Sequence, residues 1–145
     1  MKRGFGRGNI LMISKPKHGW CRFELGDFVG RPSYVTDVPV DLLQAFIDYH
    51  EKGSGICWFD EEGTEFTVVI TPYSLFIIDE DEKPVLHEFS DLMGYGNLER
   101  ELITDIENNL YDWIEFTCDD DPEEIKMHGD EIRQKIAKLR QLAKL

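Results

Sequence analysis

The sequence predicts an α+β fold: a mainly antiparallel sheet of about six strands, with one inserted helix and two C-terminal helices. Three observations carry this expectation. The stretch from Gly55 to Ser90 is dense in apolar and β-branched residues, and turn chemistry breaks it at short intervals. Its connections are too short for parallel crossovers, which need about a dozen residues. Outside it, apolar residues recur at helical spacing, so helices stand before and after the strands instead of alternating with them. A chain of 145 residues fits one domain. That domain is placed at 12–145, behind an N-terminal arm, residues 1–11, whose Gly4, Gly6, Gly8 and basic charge suit a disordered end.

Taken in order, residues 20–25 alternate, with Cys21, Phe23 and Leu25 on one face, so they read as a half-buried strand. A loop through Gly26, Gly30 and Pro32 leads to a second short strand over 33–36. Residues 37–53 read as a helix. Asp37 can cap it, Pro39 suits its first turn and Gly53 its left-handed end. Leu43, Phe46, Ile47 and His50 form its buried stripe, while Asp41, Gln44, Asp48 and Glu51 are expected to face water. Strands follow at 56–60, 64–71, 74–79 and 85–89. The third is apolar at every position from Leu75 to Ile78, which predicts cover on both faces. A helix over 97–116 is capped by Asn97 and buries Ile103, Ile106, Leu110, Trp113 and Ile114. The last helix starts at Asp121-Pro122 with Glu124 completing a capping-box pattern. It buries Ile125, His128, Ile132, Ile136 and Leu139, and Gly129 within it marks close packing or a kink.

The net charge of −13 is unevenly spread. Residues 1–31 hold seven Lys/Arg against two Asp/Glu, and residues 32–122 hold three against 23. Such a field repels nucleic acid and anionic membrane and attracts basic partners. No run approaches the ~18 apolar residues of a membrane span. The N-terminus lacks the apolar region of a signal peptide, and Cys21, Cys57 and Cys118 do not form a disulfide framework. The expected location is therefore cytoplasmic.

Catalytic signatures are missing from the pattern. His18 and Cys21 are spaced HxxC without a second close ligand pair, so neither a metal nor another cofactor is expected. There is no GxSxG and no CxxC, and the three Asp after Cys118 would keep it a thiol. The acidic runs sit in turns and at a helix start, where charge is well solvated, and none has a calcium-loop pattern. His50 and His128 lie on apolar stripes and read as boundary residues.

A compact acidic α+β chain of this kind resembles the immunity proteins of bacterial toxin–immunity systems, contact-dependent inhibition included. The resemblance spans the whole chain and rests on size, acidity and element order, not on a motif. It implies a cytoplasmic inhibitor that blocks a basic toxin by direct binding. The expected function is thus a non-catalytic protein-binding domain. Its candidate partner surface comprises Asp60, Glu61, Glu62, Asp79, Glu80, Asp81 and Glu82 in two turns, with Glu101, Asp105 and Asp112 on the outer face of the 97–116 helix. Tyr95 or Tyr111 could serve as aromatic anchors. The rival expectation is a small enzyme or ligand-binding domain with a pocket between sheet and helix, using His87, Arg22 and Glu65.

Overall fold

The structure, a computed structural model, describes residues 10–90, 94–118 and 120–145. Its strands are β1 (Leu11–Ile13), β2 (Phe23–Leu25), β3 (Phe28–Gly30), β4 (Gly55–Asp60), β5 (Glu65–Ile70), β6 (Leu75–Glu80) and β7 (Pro84–Phe89). The helices are α1 (Val38–Lys52), α2 (Gly96–Asn108), α3 (Leu110–Glu115) and α4 (Pro122–Ala143). The fold is α+β, and the strands form two antiparallel sheets, ordered β1-β2-β3 and β4-β5-β6-β7.

The four-stranded sheet follows the expected strands closely. Each hairpin pairs in plain register, such as Cys57 with Val68, Val68 with Ile77 and Ile77 with His87. These residues share its inner face with Phe59, Phe66, Ile70, Leu75 and Phe89, all buried except His87. α1 packs on this face, and α4 packs in turn on α1. The small sheet covers the rest. Phe28 lies 5.0 Å from Phe66 and 5.2 Å from His87, centroid to centroid, and Phe23 lies 5.2 Å from Phe66.

Several elements depart from expectation; the 97–116 helix, for one, begins at Gly96 behind Tyr95, so Asn97 is not its cap. β1 was not foreseen, because three residues give too short a period to read; residues 1–9 of the expected arm lie outside the described residues, while Leu11 is buried in the strand. The second strand of the N-terminal hairpin is β3, not 33–36. Turning at Gly26 (φ 56°) returns the chain at once, and Ser33 instead donates its backbone N–H to the Asp60 carbonyl at 2.9 Å. The 97–116 helix breaks at Asn109, whose φ of −131° is not helical, so α2 and α3 are separate. Finally, α1 has no fully wet face. Lys135 of α4 donates to Gln44 at 2.6 Å, and Asp41 is only partly exposed, because α4 covers that side.

Both ends of α1 show how local signals are completed by distant groups. Gly53 adopts φ 94° and donates to the Tyr49 carbonyl, as a C-terminal glycine should. Asp37 stands at the N-cap position but makes no side-chain cap bond; its carboxylate is drawn to α4 instead. Near the other end, His50 Nε2 meets buried Glu99 of α2 at 2.5 Å. In α4, Asp121 accepts from the Glu123 N–H at 3.0 Å, and Gly129 marks close packing, since a Cβ there would lie 3.1 Å from Ile114.

Candidate functional site

β-strand alternation makes the site. Residues opposite the inner face fall in three rows across β4, β5, β6 and β7. One is Ile56, Val69, Phe76 and Glu88; the next is Trp58, Thr67, Ile78 and Leu86; the last is Asp60, Glu65, Glu80 and Pro84. No helix covers this outer face among the described residues. Ile56 is 66% exposed, Trp58 47% and Leu86 61%, with Val69, Phe76 and Ile78 half-buried between them. The expectation that β6 is covered on both faces is therefore wrong for the outer one: the apolar alternation on Phe76 and Ile78 builds an open surface instead. Contiguous exposed apolar surface of this kind costs solubility and marks contact sites in soluble proteins.

The acidic turns converge at one end of that surface. The β4–β5 and β6–β7 turns lie at the same sheet end, so Asp60, Glu61, Glu62, Asp79, Glu80, Asp81 and Glu82 meet beside the Asp60–Glu65–Glu80 row. Thr64 Oγ1 donates to the Glu80 carbonyl at 2.8 Å, tying the two turns together. Burial pushes the Glu61 carboxyl above the usual range, the neighbouring Asp79 and Asp81 push it further, and the N–H of Arg31, 2.8 Å away, opposes them. Trp58 thus stands one row from a concentrated negative field.

The remaining predicted residues are elsewhere. Glu101 accepts the Leu11 N–H at 2.9 Å and Asp105 the Ile13 N–H at 3.0 Å, so the acidic face of α2 caps the edge of β1. Asp112 on α3 is 3.9 Å from Lys15. The sequence places Glu101 and Asp105 on an outer helix face as candidate partner contacts; in the structure β1 occupies them. Hydrogen bonds to charged groups contribute about 1.5–3 kcal/mol each. Removing both carboxylates (Glu101→Ala with Asp105→Ala) is expected to cost about 3–6 kcal/mol in urea unfolding, while Asp112→Ala stays within about 0.5 kcal/mol. Of the two tyrosines, Tyr95 is buried and donates to the Thr71 carbonyl at 2.6 Å, whereas Tyr111 is exposed.

Comparison with known proteins finds no matching family model, no matching curated protein and no matching solved structure.

His87, Arg22 and Glu65 do not share a pocket. His87 sits on the inner sheet face against Phe28, Glu65 belongs to the outer acidic row, and Arg22 pairs with Glu24 at 2.7 Å. The space between α1 and the sheet is filled by Phe46, Phe59, Val68 and Ile70, each at most 1% exposed.

A second cluster lies where α4 crosses the start of α1. His128 is 8% exposed, with Nδ1 2.7 Å from the Ile114 carbonyl and Nε2 2.7 Å from Asp37 Oδ2. Both partners accept, which favours the charged ring; the Asp37 bond is the chief cause of its raised pKa, against the opposing effect of burial. Asp41, one turn from Asp37, has its carboxyl pushed up to about 6, first by burial and then by the charges of Asp37 and Glu131.

Proposed function

We propose that this chain is a non-catalytic binding protein that docks a basic protein on the open outer face of its four-stranded sheet. One observation carries the reading: six apolar side chains, with Trp58 in the middle row on the edge strand β4, face outward beside the acidic sheet end with no helix over them among the described residues. An aromatic in an apolar field rimmed by charge is the usual composition of an interface centre. The acidic end would steer a basic partner into place, and the apolar rows would hold it. This arrangement suits an inhibitor of the immunity-protein type, which captures a basic toxin domain in the cytoplasm.

The test is a pull-down from the native host with the wild-type chain and with Trp58→Asp in parallel, followed by binding measurements on the purified partner. The wild type should retain a basic protein, and Trp58→Asp should weaken that complex by about 30-fold or more. Reversing Glu62, Asp81 and Glu82 to Lys should mainly slow association, and the effect should shrink at high salt. Retention of the same partner by Trp58→Asp with unchanged affinity would place the interface elsewhere.

A further inference from the structure

The Asp37–His128 contact is more than a helix tether needs. His128 Nδ1 is occupied by the Ile114 carbonyl, which orients the ring so that Nε2 points at Asp37. A backbone carbonyl on one ring nitrogen is the common way a protein aims the other at a metal. Glu131, one turn further along α4, brings a third ligand: one atom each from Asp37, His128 and Glu131 lies within 4.8 Å of the others. Asp37 Oδ1, which is buried, and the Glu131 carboxylate have no hydrogen-bond or ion-pair partner among the described residues. Two of the three residues, His128 and Glu131, line an open cleft of about 550 Å³ beside α4.

We propose that Asp37, His128 and Glu131 bind a divalent transition-metal ion, with zinc as the natural probe. One imidazole and two carboxylates suit a borderline ion such as Zn²⁺ and are a poor match for Mg²⁺ or Ca²⁺, which take oxygen ligands. On binding, the proton on Nε2 passes to solvent and the metal takes its place between the ring and the carboxylates. Ligand atoms on one zinc stand about 3.3 Å apart for bonds of about 2.0 Å. The 2.7 Å contact therefore opens by about half an ångström, a change the partly exposed Asp37 side chain can make. The metal's charge then offsets that of Asp37, which also acts on Asp41. Three protein ligands leave positions open toward the cleft for water. This inference is independent of the sheet-face reading, since the two sites share no residue.

The test titrates the full chain, stripped with chelator, with Zn²⁺ at pH 7.5 by calorimetry and by thermal unfolding, with Mg²⁺ in parallel. One zinc per chain and a raised Tm are expected, with no saturable signal from Mg²⁺. Glu131→Gln alters an exposed side chain and should leave the metal-free Tm unchanged while weakening zinc binding at least about tenfold. His128→Ala should abolish it. The ¹⁵N resonance of His128 Nε2 should move on zinc addition, with Nδ1 still protonated. Absence of stoichiometric zinc binding by the wild type, or binding that Glu131→Gln and His128→Ala leave unchanged, would overturn the assignment.

Discussion

A Phe66→Ala chain is expected to lose about 3–5 kcal/mol of folding stability, a fall in Tm of about 10 °C for a domain of this size. Phe66 is fully buried, and its ring lies 5.3 Å from Phe59, 5.2 Å from Phe23 and 5.0 Å from Phe28. It therefore joins the small sheet to the large one, and the hole left by truncation would be lined by rings already held by other contacts. Chemical denaturation checks the value, with Tyr73→Ala, at an 88% exposed position, as a control expected within about 0.5 kcal/mol. A loss below about 1 kcal/mol would mean that the ring cluster does not hold the sheets together. The neighbouring Gly30 gives a second readout. A Cβ there would fall 2.4 Å from the Phe66 ring, so Gly30→Ala should be costly in the wild type and cheaper in the Phe66→Ala background.

Gly55→Val should be at least as damaging, for a different reason. A Cβ at Gly55 would lie 1.9 Å from the Ala45 carbonyl oxygen, which is helix backbone and cannot rotate away. α1 and β4 would have to separate, opening the layer that buries Phe46, Phe59 and Val68. Overpacking a core commonly costs about 1–3 kcal/mol where side chains can adjust. Here the obstacle is main chain, so the expected result is a cost above that range or loss of the folded protein, read by circular dichroism and denaturant unfolding. Gly53→Ala, two residues earlier, should cost only about 1 kcal/mol from its positive φ, because open space surrounds it.

The contrast between these two glycines shows which features are legible in a sequence. Gly53 announces itself, since a glycine just after a helical stripe marks a left-handed helix end. Gly55 does not, because its need arises from a helix backbone passing over the strand. The same divide runs through the site. The hairpins of the large sheet were legible, with apolar alternation on β5 and turn residues between strands. Once they pair in register, Asp60–Glu62 and Asp79–Glu82 meet at one sheet end, so that part of the acidic surface was also readable. The apolar run from Leu75 to Ile78 predicts cover on both faces, yet Phe76 and Ile78 lie on an open one. Alternation shows that two faces exist, but not whether a second layer lies over the outer one.

Glu101 and Asp105 fell to the same blindness in reverse. A carboxylate on a helix looks solvated until another element brings an unpaired N–H to it, and β1 is too short to have been expected there. Asp37 and His128 each have a local reading, as helix cap and stripe residue, yet Asp37 makes no cap bond and its contact with His128 spans 91 positions in sequence. By itself the sequence determined the α+β class, the large-sheet hairpins, the extent of α1, the start of α4 and the uneven acidic charge, because each follows from periodicity, turn chemistry or composition within a few residues. Only the tertiary structure decided that the strands form two sheets, that one face of the larger stays open beside its acidic end, and that Asp37, His128 and Glu131 come together. Those outcomes depend on which layer covers which face, a competition among burial energies across the whole chain.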